Sequence, residues 1–411
     1  MLSAFEKIWR GLFESPVHLD SAISKLHRNL KGPISLTVPA ILLRPSSLAE
    51  AMGVGVPSGE PWKLSDPSRA KWKPAQQVAE RILADLDSAR MDENRGAPSE
   101  EDFPPEMIRE WKESWGEQAT SQLVRELGNP APLSLRVTRR SNPAELLKQM
   151  SSQLPVKARI SDISPVGLRL AGYATVMSGN EWFEKGDFEI QDEGSQIMAL
   201  FALWPEIFGG LLSAVPGPVR IPSVLPELPK DTPAWNVVDA CAGAGGKTLA
   251  LADALQGKGR VYSYDTSEKK LQALRRRTTR AHLNNTQAVV VQEGAEAESI
   301  GRFRKRAQCV LVDAPCSGWG VLRRNPDIKW RQDASVLERM PQIQLRLLKL
   351  YSELVAPGGR LVYGVCTFRK AETLEVVSRF LSESPDFESD RGGYLGPGPC
   401  DGFYMHAFKR K

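Results

Sequence analysis

A chain of 411 residues with 41% hydrophobic and 25% charged residues can build two or three domains around a sizeable core, which excludes a disordered tail and a small stapled module. A formal charge of +5 permits a polyanionic partner without demanding one. Five cysteines without a CxxC pair and four scattered histidines speak against a zinc ribbon or a disulfide framework, so reduced thiols, a cytoplasmic setting and no metal are expected.

The start of the chain, Met1–Glu6, opens no signal peptide, and the stretch Ile34–Leu43 is short, polar in places and broken by Pro39, so no membrane span is expected. Helical periodicity recurs at Ser3–Phe13, Ser21–Leu30 and Pro74–Leu86, with Gly/Pro/Ser stretches between. Met91–Pro105, mostly charged residues with Gly, Pro and Ser, is expected as a linker or exposed loop. Helices containing Trp111–Trp115 and Thr120–Leu127 follow. Residues 1–118 are taken as a helical N-terminal region of undefined role.

Residues 119–190 are expected to form a small α+β domain of RNA-binding type. Leu133–Val137 alternates as a strand does, Asn142-Pro143 caps a helix over Ala144–Met150, and extended segments follow at Leu168–Leu170 and Phe188–Ile190. A helper domain packed on a larger one fits the same pattern equally well.

Residues 191–411 are taken as one α/β domain with a mostly parallel, Rossmann-like sheet of seven strands. After a helix at Ser195–Leu203, strands are expected at Trp235–Ala240, Arg260–Tyr264, Ala288–Val291, Cys309–Val312 and Arg360–Val365. Helices are expected at Thr248–Leu255, Glu268–His282 and Gln342–Leu354. Phe403–Phe408 alternates and is expected to finish the sheet as an antiparallel strand. Ligands of such folds sit at the carboxyl ends of the strands.

The first strand runs into Cys241-Ala242-Gly243-Ala244-Gly245-Gly246-Lys247-Thr248, whose small residues let backbone approach a ligand at a helix N-terminus. A phosphate loop would need glycine at Cys241, which argues against an ATPase. The second strand ends on Asp265, placed to accept from a ribose diol; capping the helix beside Thr266 and Ser267 is the bland alternative. Glu293, after the third strand, is a candidate for the adenine edge. A nicotinamide cofactor would use the same Asp265, but no clear GxGxxG is present.

Two cysteines follow strand ends, Cys316 in Asp313-Ala314-Pro315-Cys316 and Cys366 in Tyr363-Gly364-Val365-Cys366-Thr367. Each alone reads as a small buried hydrophobe. Two at ligand-facing ends of one sheet point to a thiol next to a methyl donor, the requirement of C5 methylation of a pyrimidine. A cysteine adds to C6, C5 takes the methyl group, and loss of the C5 proton expels the thiolate. A carboxyl group such as Asp313 would assist at N3. Arg323, Arg324 and Lys329 would hold the phosphates around the base; a solvated loop face is the alternative.

The segments DACAGAGGKT, Asp265, DAPCSGWGVLRRNPDIKW, Gln344-Leu345, Pro357-Gly358-Gly359 and YGVCTFRKAET resemble the NOL1/NOP2/Sun family of S-adenosylmethionine-dependent RNA cytosine-C5 methyltransferases, especially bacterial ribosomal RNA members. The resemblance covers roughly Leu133 to the C-terminus. It implies Cys366 as the attacking cysteine, Cys316 as the one associated with product release, and Asp313 as the contact to the target cytosine. It also implies Asp265 on the ribose hydroxyls and Cys241–Lys247 as the methionine-side loop, with Lys247 helping to organise the pocket. Spacing alone does not assign the two cysteines. The implied partner is RNA, with 16S ribosomal RNA ahead of transfer RNA, and the implied state is monomeric. A non-catalytic RNA-binding assembly factor on the same fold is the further alternative. Ala244 stands where the family has proline, Val365 where threonine is common, Thr373 where asparagine is common, and Glu293-Gly294 where an aspartate is usual.

Overall fold

The computed structural model describes residues 97–151, 157–170, 180–231, 234–331 and 334–411. The helical patterns at Ser3–Phe13, Ser21–Leu30 and Pro74–Leu86 lie outside these residues. The chain divides into two compact units, one taking in the described residues up to Ala131 with Val321–Ala334, the other Pro132–Gly320 with Ser335–Lys411.

In the first unit a single helical turn at Glu100–Asp102 precedes α1 (Pro105–Leu127). Ser99 N–H donates to Asp102 Oδ2 at 2.9 Å, closing a capping box ahead of that turn. Proline opens α1 where no backbone donor is needed. Gly116, at φ +79°, breaks α1 into two pieces, which matches the separate helices expected around Trp111 and Thr120. Asp102 and Phe103 are buried, with Phe103 tilted against Trp111 at 5.5 Å. That end of the expected linker is therefore packed, because one aromatic side chain outweighs its charged surroundings.

The second unit opens with a four-stranded antiparallel sheet, β1 (Leu133–Val137), β2 (Ala158–Ile160), β3 (Gly167–Leu170) and β4 (Phe188–Ile190), in the order β2-β3-β1-β4. Between β1 and β2, α2 (Pro143–Met150) begins under the Asn142 side chain, which accepts from Ala144 N–H at 2.8 Å. Leu146 and Met150 from α2 pack on Leu135, Val137, Leu168 and Phe188 from the strands. Alternation along β1 supplies the apolar face of this core.

The wholly apolar α3 stretch Ile197–Leu203 explains its burial on all sides: α3 (Glu193–Leu203) lies in the main core with Val237, Leu251, Leu311 and Val362. The strands of the main sheet are β5 (Asn236–Asp239), β6 (Arg260–Asp265), β7 (Thr286–Val290), β8 (Ala307–Asp313), β9 (Val355–Val365), β10 (Phe387–Leu395) and β11 (Phe403–Arg410). Their order is β10-β11-β9-β8-β5-β6-β7, with β10, β11 and β9 antiparallel and the other pairs parallel. Helices α4 (Gly246–Ala254), α5 (Glu268–Arg280), α6 (Ala334–Ser352) and α7 (Leu374–Glu383) connect these strands.

Three elements differ from expectation. β11 does not end the sheet; it lies between β9 and β10, and β10 forms the edge. The polar Glu388–Arg391 stretch hides β10 from periodicity, and pairing with β11 defines it. α6 starts at Ala334 and runs through Pro341 rather than starting beyond it. Proline removes the N–H that would reach the Leu337 carbonyl. That carbonyl accepts instead from the Arg369 guanidinium at 3.0 Å, so the helix continues without an orphaned acceptor.

Candidate active site

The chain passes from β5 to β6 and β7 on one side, then crosses to place β8 on the other side of β5. The reversal makes the carboxyl ends of β5 and β8 the crevice in which a doubly wound sheet holds ligands. Lys247, in the first turn of α4 after β5, and Asp313, the last residue of β8, meet there at 2.6 Å. Burial disfavours the ammonium, but the Asp313 carboxylate outweighs it and raises the Lys247 pKa, so Lys247 stays charged. Lys247 also stands 5.8 Å above the Phe403 ring.

The turn from β5 into α4 uses positive φ at Gly243 (+55°) and Gly245 (+90°). A Cβ on Gly245 would come within 2.7 Å of Leu274, whereas one on Gly243 would meet nothing within 4 Å. The turn is thus packed from behind and open in front. Asp265 joins it: Oδ2 accepts from Gly243 N–H at 2.8 Å and Oδ1 from Ser267 N–H at 2.8 Å. The capping alternative and a ligand role are compatible, since a carboxylate has lone pairs beyond these two bonds. The open glycine face, the helix N-terminus and the half-buried carboxylate fit an adenosyl cofactor carrying a ribose diol and an amino-acid tail.

Behind the turn, Asp239 is fully buried, with Oδ2 accepting from Thr248 Oγ1 at 2.7 Å. Burial pushes its carboxyl up to about 7, assisted by the Asp313 charge and opposed by the Thr248 hydroxyl. Burial likewise raises the thiol of Cys241, which favours its protonated form. Ala242 is buried against Leu271 and Leu274. Glu293 is exposed in the turn beyond β7.

Asp313 and Gly364 are register partners on adjacent parallel strands. Cys316, three residues past one, and Cys366, two past the other, therefore leave the sheet at the same level. Their sulfurs lie 3.2 Å apart as free thiols. The loops are tied by Gly320 N–H donating to the Cys366 carbonyl at 2.9 Å, and by the Ser317 and Thr367 hydroxyls at 2.7 Å. The hydrogen bond to Cys366, followed by burial, raises the Cys316 thiol well above the ordinary range. Cys316 accordingly keeps its proton, and either sulfur can donate in the pair.

Of the expected phosphate-contacting residues, Arg323 and Lys329 are buried and Arg324 is half-buried, all within the first unit. Lys329 donates to the Asp102 carbonyl at 2.9 Å and sits 3.8 Å above the Phe103 ring. Burial pushes its pKa down to about 7.

Several residues of the site carry no motif of their own. Gln191, just after β4, donates to the Gly246 carbonyl at 3.1 Å, and Arg277 on α5 donates to the Ala244 carbonyl at 2.8 Å. Arg277 is itself bonded to the buried Glu189 of β4 at 3.0 Å. The small sheet thus grips the glycine turn at two carbonyls. Among the described residues no group of three or more His, Cys, Asp or Glu is placed to hold a metal, and no helix is long and apolar enough to cross a membrane.

A glycine turn with an acidic residue on the neighbouring strand, at the switch point of this sheet, defines the Rossmann-like methyltransferase fold. Residues 227–397 match the family described as 16S rRNA methyltransferase RsmB/F, and residues 103–177 match its ferredoxin-like domain. Over those residues the chain is similar to the RsmB/F methyltransferase family. It is similar to the "Probable ribosomal RNA small subunit methyltransferase B" of Bacillus subtilis, at 31% identity over 72% of this chain and 59% of the relative. The protein of the same name from Synechocystis is 27% identical over 72% of this chain and 60% of its own length. The chain thus spans about six tenths of these curated relatives. The crystal structure of NSun6 from Pyrococcus horikoshii shares the fold, with a TM-score of 0.60 and 16% identity over 75% of this chain and 98% of that one.

Proposed function

We propose that this chain transfers a methyl group from S-adenosylmethionine to C5 of a cytosine in RNA through a covalent cysteine–C6 adduct, with small-subunit ribosomal RNA as the substrate. The observation that carries this reading is the pair of free sulfurs 3.2 Å apart beside the Lys247–Asp313 ion pair. A nicotinamide-dependent oxidoreductase on the same sheet would explain neither cysteine. The names of the curated relatives support the ribosomal substrate.

The open face from Cys241 to Lys247, with Asp265, would hold the cofactor, which supplies an electrophilic methyl group when bound. Asp313, its carboxylate fixed by Lys247, would hold the cytosine edge and share the proton that N3 takes as C6 is attacked. Cys366, the nucleophile by family resemblance, stands with its sulfur 3.2 Å from that of Cys316. Attack forms the C6–S bond. After C5 is methylated its proton must leave, and the C6–S electrons then return to Cys366. The C5 proton passes to solvent, and Cys316 stands next to this centre as the cysteine that the family resemblance associates with product release. The half-buried Arg324 is the most accessible of the three basic residues for a phosphate contact.

Incubation with unmodified ribosomal RNA and labelled S-adenosylmethionine should place label at cytosine C5. Cys316→Ala should accumulate an RNA–protein adduct on a denaturing gel, and Cys366→Ala should form none. Label absent from C5, or adduct in the reverse pair, would overturn the assignment.

A further inference from the structure

Glu372 follows Cys366 by six residues and is fully buried. Its Oε2 accepts from Ser317 N–H at 2.9 Å and from Gln344 Nε2 at 2.9 Å, while Oε1 accepts from the Arg369 guanidinium at 3.3 Å. The same Gln344 nitrogen reaches the Pro315 carbonyl at 2.9 Å, and the Glu372 carbonyl accepts from Tyr363 OH at 2.7 Å. One carboxylate is therefore bonded, directly or through Gln344, to the residues on both sides of Cys316, and to the loop that follows Cys366.

A buried carboxylate is a costly way to fill space, and apolar side chains of similar size often serve stability as well or better. Its use here is better explained by where it pulls. The three donors come from the Cys316 loop, from α6 and from the Cys366 loop, and all converge on this one carboxylate. We propose that Glu372 is a positioning residue of the two-cysteine centre, clamping the Pro315–Ser317 backbone against the Cys366 loop and so fixing the separation of the two sulfurs. Its negative charge also lies close enough to help keep the Cys316 proton in place. The catalytic consequence rests on the two-cysteine reaction above, but the geometric one does not require it.

The test uses the full chain with Glu372→Gln, which keeps the side chain's size while replacing one acceptor oxygen with a donor. Iodoacetamide alkylation without RNA, with the modified cysteines located by mass spectrometry, reads the geometry. The ratio of Cys316 to Cys366 modification should change by about threefold or more, because loosening the clamp separates the thiols and lightens the negative charge on Cys316. With RNA and S-adenosylmethionine, kcat should fall by about tenfold or more while both KM values stay within about twofold. An unchanged alkylation ratio in a folded variant overturns the clamp, and so does a loss confined to KM. If Glu372→Gln does not fold, Gln344→Met carries the test, since it removes the strut from Glu372 to the Pro315 carbonyl and leaves the carboxylate in place; an unchanged ratio there has the same meaning. Absence of methyl transfer by the unaltered chain would instead strike the proposed reaction and leave the alkylation result to judge the clamp.

Discussion

Lys247 and Asp313 illustrate how one side chain acquires its role from burial and a partner. The ammonium remains charged in a crevice that disfavours charge because a carboxylate is held at 2.6 Å. His406, in β11, is the converse. It is 8% exposed, with Nε2 3.0 Å from the Ser389 hydroxyl and Nδ1 3.3 Å from the Tyr404 hydroxyl. Burial lowers its pKa from 6.5 to about 4, against the opposing Asp390 charge. The unfolded chain therefore binds a proton that the folded chain refuses between those values. Stability from this group is complete above the unfolded value and is lost as pH falls toward 4. The window corresponds to roughly 3 kcal/mol at full expression. Urea unfolding of His406→Gln should show a shallower loss of stability between about pH 6.5 and pH 5 than the unaltered chain; parallel curves would refute the assignment. Among the site residues, Cys316, Cys366, Asp313 and Asp265 stand out in the sequence because each ends or follows a short apolar run. Glu372 does not, because a glutamate in a polar loop looks exposed until the fold wraps donors around it.

At the level of elements, strand ends were legible and helix boundaries less so. Short, mostly apolar stretches stopping on Asp239, Asp265 or Asp313 mark parallel strands plainly. Pro341 misleads because the acceptor it frees is satisfied by Arg369, a residue that only folding brings near. The glycine turn before α4 is a second case in which local chemistry depends on distant packing. Gly245→Ala places a Cβ 2.7 Å from Leu274 at φ +90°, adding about 1–2 kcal/mol of left-handed backbone cost to the clash. Calorimetry should find S-adenosylmethionine bound more weakly, together with a lower Tm. Gly257→Ala is the control, with φ +73° and nothing within 4 Å; it should lower Tm without changing affinity. Equal affinity in both variants would show that the turn does not shape the cofactor face.

On the scale of the second unit, polar contacts rather than a continuous apolar seam mark the junction of the small sheet with α4. Arg136 of β1 is 2% exposed and donates to Asp253 of α4 at 2.9 Å and to Gln191 at 2.9 Å. Asp253 also accepts from Arg139 N–H at 3.1 Å, yet burial still raises its pKa. Arg136→Ala would leave this carboxylate buried without its guanidinium, at a cost of about 3–5 kcal/mol. Urea unfolding followed by fluorescence and by circular dichroism should shift to lower denaturant, with the two transitions separating as the small sheet loosens first. A single unshifted transition would argue that the contact is incidental. Nothing in the one-dimensional pattern announced it, because an arginine alternating with leucine and valine in a strand normally points to solvent.

The polypeptide leaves the second unit at Gly320 and re-enters it at Ser335, having lent Val321–Ala334 to the first unit in between. Lys329, bonded to Asp102 and stacked on Phe103, fastens that loan. The first unit is consequently built from two separate stretches of the chain. Gly320, the point of departure, is also bonded to the Cys366 carbonyl. An exchange of the N-terminal stretch alone would leave Lys329 without Asp102 and Phe103, its partners within the first unit.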